Sequence, residues 1–221
     1  MVCYGTGGGY LISCQRDRMP NPREIRRTIR TRRRNLPRQS QKKNSLSAAA
    51  HFIRNIQLVR CTRIALYLAA DGELNPQPLM NRLLRLNKKL YLPVLRPGLG
   101  KALWFSEYKR GDQLRPNRFG IAEPDIRRRK PIPAWSLDLI IMPLVAFDNT
   151  GTRIGMGGGY YDRTLAYRLN HQRWIRPSLI GYAHDFQRTD ELPRQHWDVP
   201  LQGVITERGY QQFRIVRKNS N

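Results

Sequence analysis

Gly155, Gly157, Gly158 and Gly159 crowd into the segment RIGMGGGYYDR, from Arg153 to Arg163, between an apolar run and a helical pattern. Consecutive glycines can turn successive backbone N–H groups toward one point and admit a phosphate with no side chain in the way. A helix that follows adds its positive end. The segment matches neither GxxxxGK[ST] nor GxGxxG, so the standard nucleotide motifs do not apply, and a tight turn packing helix on strand is the competing reading. Arg153 enters the loop and Asp162 leaves it, in the first helical turn. A carboxylate beside a phosphate cradle repels the ligand unless a cation lies between them. Mg2+ resolves that conflict, because it takes one or two carboxylates plus substrate phosphates. Otherwise Asp162 serves only to stabilise a helix start.

The elements that must position this loop follow from periodicity. Asn21 as N-cap, Pro22 at the first helical position and Glu24 three residues after the cap open a helix to about Leu36. Ile25, Ile29 and Leu36 form its sparse apolar stripe, and its arginines lie on other, solvated faces. A second helix, residues 40–57, places Leu46, Ala49, Ala50 and Ile53 inward. Residues 63–69 read as a buried strand, and Asn75-Pro76 then caps a helix with Leu79, Leu83 and Leu86 on one side. Strands follow at 89–95 and 102–108. Residues 111–133 are a Pro- and Arg-rich connection with little regular structure, and 137–147 is a central strand running into the turn before the glycine loop. A helix over 160–169 turns Tyr161, Leu165 and Leu169 inward, and strands come at 178–183 and 203–206. Strands alternating with helices predict an α/β fold: a three-layer sandwich, a largely parallel central sheet flanked by helices, in a single domain. Ligands in such folds bind outside the carboxyl ends of the strands.

Residues 22–221 are long enough for one sizeable core, and residues 1–21 read as a disordered tail or an over-extended start with Met19 as initiator. No apolar run approaches the roughly 20 residues of a membrane span. Cys3, Cys14 and Cys61 are odd in number and scattered, which suits neither a disulfide framework nor a zinc site, and there is no secretory signal, so cytoplasm is the expected compartment. The net charge of +24, from 40 Lys and Arg against 16 Asp and Glu, favours anionic partners without separating nucleic acid from ATP or an anionic metabolite. Arg30–Arg34 and Arg127–Lys130 lack interleaved aromatics, and no RNA-binding signature occurs, so RNA binding is expected to be non-specific if it occurs at all.

RIGMGGGYYDR resembles the signature of the 5-formyltetrahydrofolate cyclo-ligase family. The resemblance extends through LYLAADGEL (66–74), LIIMPLVAFD (139–148), GYAHD (181–185) and WDVPL (197–201), in order, and covers about residues 22–215. It implies ATP- and Mg2+-dependent cyclisation of 5-formyltetrahydrofolate, a reduced folate that can carry a polyglutamate tail, to 5,10-methenyltetrahydrofolate with release of ADP and phosphate. By position, Arg153, Ile154, Gly155, Met156, Gly157, Gly158, Gly159, Tyr160 and Tyr161 would bind ATP, with Met156 to Tyr160 also touching the folate. Arg153 and Tyr160 would be the catalytic residues, and Asp162 and Asp198 would hold Mg2+. Leu68 and Glu73 would contact the pterin, whose adjacent N–H donors suit a carboxylate. For the residues alone, Asp198 reads as a turn residue and Glu73 as a helix-start carboxylate. The family's opening helix completes the ATP site through a Lys and an Arg four residues apart; Arg26 stands at the arginine, but Pro22 occupies the lysine position, so Arg23 beside it would supply that cation. The replaced lysine is what supports the alternative of a family member that binds folate without turning it over.

Overall fold

The computed structural model describes residues 21–96, 101–117, 120–170 and 176–214; the N-terminal tail, with Cys3, Cys14 and its glycine cluster, lies outside them. Helix α1 (Pro22–Arg34) starts where the caps require, with the Asn21 side chain accepting from the Arg23 N–H at 2.9 Å. Helix α2 (Arg38–Asn55) leads into strand β1 (Arg63–Ala65). At the start of helix α3 (Gln77–Arg85) the Asn75 side-chain Oδ1 accepts the Gln77 N–H at 2.9 Å. Next come β2 (Lys89–Leu95), β3 (Leu103–Tyr108), β4 (Leu114–Pro116), β5 (Ala122–Pro124), β6 (Leu139–Met142), β7 (Ala146–Phe147) and β8 (Arg153–Ile154). Helices α4 (Tyr160–Leu165) and α5 (Tyr167–Asn170) precede β9 (Ser178–Tyr182), β10 (Gly203–Thr206) and β11 (Gly209–Gln212).

The main sheet has the order β11-β10-β9-β6-β1-β2-β3, with β10, β9, β6, β1 and β2 parallel and both edge strands antiparallel. Its two faces follow the two-residue period of a strand. Ile64, Leu90, Leu92, Leu139, Ile141, Ile180 and Ile205 pack under α2 and α3. Their neighbours Ala65, Tyr91, Ile140, Met142, Leu179 and Val204 pack on the opposite side, where Leu165 of α4 covers them. Helices on both faces give the three-layer α/β arrangement. From β1 the chain winds toward β2 on one side, whereas β6, β9 and β10 continue on the other. The order therefore reverses between β1 and β6, and the crevice outside their carboxyl ends is where such sheets take ligands.

Several expected elements are cut differently. The strand expected over 137–147 splits, because residues 146–147 leave the sheet to pair with β8 in a separate hairpin; the glycine loop thus follows that hairpin and not a central strand. The helix expected over 160–169 breaks after Leu165, and Leu169 is exposed. The connection over 111–133 contains the hairpin β4-β5. Along α2 the inward stripe is Ser45, Ala48, Ala49 and Phe52, one residue out of register with the expected one, so Leu46 faces solvent. Ser45 can go inward because its hydroxyl donates to Gln41 O at 2.8 Å and accepts the Asn75 N–H at 3.2 Å. Leu86 is exposed because α3 has already ended and Asn87 takes a left-handed φ of 55°.

Phe52 has no exposed surface and fills the layer between α2 and the sheet. Phe52→Ala should lower unfolding stability by about 3–5 kcal/mol in urea titrations. A loss under about 1 kcal/mol would show that this layer closes around the cavity.

Candidate active site

Three segments converge at the crevice. The first is the corner after β1, where Asp71 (φ 51°) and Gly72 (φ 73°) both take left-handed backbone. A Cβ on Gly72 would come within 2.7 Å of the Arg33 carbonyl oxygen, so only glycine lets this corner lie against α1. The corner presents Glu73, whose Oε2 accepts the Ala70 N–H at 3.1 Å and whose Oε1 lies 3.8 Å from Arg33 Nη1. Burial raises the Glu73 carboxyl above its ordinary value, outweighing the Ala70 N–H and the Arg33 charge; Asp71 pushes the same way as burial. Leu68 is half-buried on the same stretch, against the core under α2.

The glycine loop is the second segment. Gly157 (φ 95°) and Gly159 (φ 64°) are left-handed, and Gly159 caps α4. Two arginines brace the loop from its ends: Arg26 Nε donates to Gly155 O at 2.8 Å, and the Arg163 guanidinium donates to Gly158 O. A Cβ on Gly158 would strike the Tyr160 ring at 2.9 Å. Met156 projects into solvent, while Tyr160 and Tyr161 are half-buried against the sheet's second face. Burial raises the Tyr161 hydroxyl's pKa, and the Glu73 carboxylate pushes it the same way.

The third segment precedes β10. Arg153, whose side chain is only 5% exposed, donates from Nη2 to Asp162 Oδ1 at 2.5 Å and from Nη1 to the Val199 carbonyl. The Val199 N–H reaches the same Asp162 oxygen at 3.4 Å. Asp162 thereby touches Val199, the residue next to Asp198, from 37 positions away in sequence. Arg153 thus neutralises one side of the Asp162 carboxylate from within the fold. Asp198 closes a turn, its Oδ2 accepting the Gln195 N–H at 2.8 Å. Among the described residues neither Asp162 Oδ2 nor Asp198 Oδ1 has a protein partner, and no three His, Cys, Asp or Glu side chains gather into a metal cluster. Two carboxylates with a free oxygen each fit Mg2+, which completes its shell with water and phosphate oxygens. Arg23 is exposed and lines a groove of about 290 Å³ with Arg26, Arg27, Arg30 and Arg34 along α1.

Arg33, expected on a solvated face, is wholly buried. Its Nη2 lies 2.9 Å from Asp71 Oδ2, which Arg30 Nε also meets at 2.6 Å, while Arg34 pairs with the other oxygen. Burial works against the Asp71 anion, but the hydrogen bonds from Arg30, Arg34 and Arg33 outweigh it and hold the carboxyl below its usual value. Asp148, in the turn before the loop, is equally hidden and accepts N–H groups from Thr150, Thr152 and Leu192. A non-glycine left-handed corner signalled by Asp-Gly was the available clue to Asp71; the clue to Arg33 was its place four residues beyond Ile29 on the stripe that starts at Ile25.

His184, also fully buried, stands beside the Asn44 amide, 3.2 Å from its Nδ1. Burial pushes its pKa from 6.5 to about 4, with the Arg33 charge adding to the fall and the Gly72 backbone opposing it. The folded-state value lies below the unfolded one, so neutral His184 contributes full stability above about pH 6.5, and that contribution is lost as pH falls toward 4. A drop of this size corresponds to about 3 kcal/mol. His184→Gln should flatten the stability curve across that window; an unchanged slope would place the titration elsewhere.

Residues 18–207 match the family model described as the 5-formyltetrahydrofolate cyclo-ligase family. The chain is 42% identical over 180 residues to the 5-formyltetrahydrofolate cyclo-ligase of Escherichia coli K12, covering 80% of this chain and 96% of that protein. It is 40% identical over 184 residues to the enzyme of the same name from Haemophilus influenzae, covering 82% and 95%. Its fold is similar to that of a 5,10-methenyltetrahydrofolate synthetase from Aquifex aeolicus, with a TM-score of 0.73 and 28% identity over 90% of this chain and 96% of that one. Among the described residues no helix is long and apolar enough to cross a membrane.

Proposed function

Because the chain belongs to the 5-formyltetrahydrofolate cyclo-ligase family, we propose that it closes 5-formyltetrahydrofolate to 5,10-methenyltetrahydrofolate at the expense of ATP. The observation that supports this most directly is that α1 contacts both elements, Arg26 bonding Gly155 O of the glycine loop and Arg33 facing Asp71 and Glu73, which brings a phosphate cradle and a pterin-matching carboxylate to one helix.

The formyl oxygen of an amide is a poor leaving group. Transfer of the γ-phosphoryl group of ATP to that oxygen releases ADP and makes the formyl carbon electrophilic. N10 then adds to that carbon and gives up its proton, phosphate departs with the oxygen, and the methenyl bridge remains. Little covalent chemistry falls to the protein, so its contribution is positioning and charge neutralisation. The backbone of residues 153–161 cradles the phosphates, and Arg26 and Arg163 hold its shape through Gly155 O and Gly158 O. Arg23 on the same helix supplies positive charge where Pro22 cannot. Met156 to Tyr160 lie between nucleotide and folate, and Glu73 with Leu68 receives the pterin. Asp162 and Asp198 would hold Mg2+, which neutralises phosphate charge when bound. Arg153 holds Asp162 in place through Nη2, and Arg153 and Tyr160 are the residues to which the family resemblance gives the catalytic role.

Purified protein with 5-formyltetrahydrofolate, ATP and Mg2+ should generate the methenyl chromophore, and an excess of metal chelator should suppress it by about a hundredfold or more. Product forming equally well with chelator present would remove the metal role from Asp162 and Asp198.

A further inference from the structure

We propose that Arg33 is a positioning residue for folate recognition: buried between α1 and the corner after β1, its guanidinium fixes the Glu73 carboxylate as an anion aimed at the pterin. The inference rests on the reading of Glu73 given above. Isolated burial of a guanidinium is costly, and the fold tolerates it only where anions face it. Two do. Asp71 lies 2.9 Å from Nη2, but its charge is shared with Arg30 and Arg34. Three arginines on one carboxylate leave a positive surplus, and Glu73 is the other anion that Arg33 faces, 3.8 Å from Nη1. That distance is too long for a hydrogen bond, so the contact is Coulombic and gains its strength from burial. It also leaves the geometry of Glu73 open for a ligand: Oε1 faces Arg33 and Oε2 holds the Ala70 N–H, and each keeps a second lone pair for a pterin N–H.

The groups around Glu73 come from four places. Arg33 approaches from α1, Asp71 from its own corner, Tyr67 from just beyond β1 and Tyr161 from α4, with His184 behind Arg33. Of these, Arg33 is the one cation. Burial, Asp71 and the two neutral phenols leave it to oppose protonation of Glu73, together with the Ala70 N–H.

The test is the pH profile of kcat/KM for the reduced folate. In the unmodified enzyme this quantity should fall as pH drops through the Glu73 titration, and Glu73→Gln should erase that limb. Arg33→Met keeps the length of the side chain and removes its charge. It should move the limb to higher pH by about one unit and raise the folate KM about tenfold at neutral pH. Turnover at saturating folate and the KM for ATP should stay within about twofold, which a general loss of structure would not allow. Asp71→Asn removes the neighbouring anion, keeps a residue that accepts left-handed backbone, and should move the limb to lower pH. If Arg33→Met shows no cooperative melting, Asp71→Asn decides alone. A limb unmoved in Asp71→Asn, or in a folded Arg33→Met, overturns the inference. Glu73→Gln with an unchanged folate KM would instead sink the pterin reading of Glu73, and this inference with it.

Discussion

Glu73→Gln is expected to raise the KM for 5-formyltetrahydrofolate by about tenfold or more while leaving the KM for Mg-ATP and turnover at saturating folate nearly unchanged. The substitution keeps size and removes a charge from a half-hidden site, and a charge-assisted hydrogen bond lost there is worth about 1.5–3 kcal/mol. Burial raises the carboxyl's pKa, so in the unmodified protein folate affinity should already weaken as pH falls through that raised value, and the glutamine variant should lose this dependence. Thermal stabilisation by ligand gives a check independent of catalysis: folate should no longer protect Glu73→Gln, while Mg-ATP still should. Equal loss of both ligands would end the separation of a pterin corner from a nucleotide loop.

Asp162→Asn is expected to act on the other half of the site and in two ways at once. Turnover should fall by about tenfold or more, and the steep dependence on Mg2+ should flatten. Stability should also drop, because the nearly buried Arg153 loses the negative charge at 2.5 Å and keeps only an amide oxygen and the Val199 carbonyl. With Asp162 itself partly exposed, that loss should be about 1–2 kcal/mol in denaturant titrations. Asp198→Asn separates the two roles, since its protein hydrogen bond is a local one to the Gln195 N–H. It should reproduce the altered Mg2+ dependence with little change in stability. Full Mg2+ dependence in both variants would leave Asp162 as a structural partner of Arg153 alone.

The two halves of the site are joined by α1, whose first turns reach the glycine loop through Arg26 and whose last turns grip the Asp71 corner through Arg30, Arg33 and Arg34. A helix that reads as a basic surface is therefore the brace between nucleotide and folate elements, and much of its charge is directed inward. Arg23 and Arg27 line the groove along α1 together with Arg26, Arg30 and Arg34. Such a row of guanidinium groups favours anions in general.

What the sequence by itself determined was whatever depends on neighbours along the chain. The Asn21-Pro22 helix start, the alternation that builds a largely parallel sheet and the glycine loop before a helix were legible, because caps, strand period and glycine torsions act within a few residues, whereas Glu73 was singled out only by the family resemblance. Only the tertiary structure decided which charges are buried. Among the arginines of α1, helical spacing puts Arg33 on the stripe of Ile25 and Ile29, unlike Arg30 or Arg34, but only the Asp-Gly corner arriving from 38 residues away supplies the anion that lets a guanidinium be buried there. The split of the 137–147 run, the one-residue shift of α2 that buries Ser45 in place of Leu46, and the meeting of Asp162 with Val199 have the same origin. In each, a polar group or strand end finds a partner remote in sequence, and a buried polar group is tolerated only where such a partner is present.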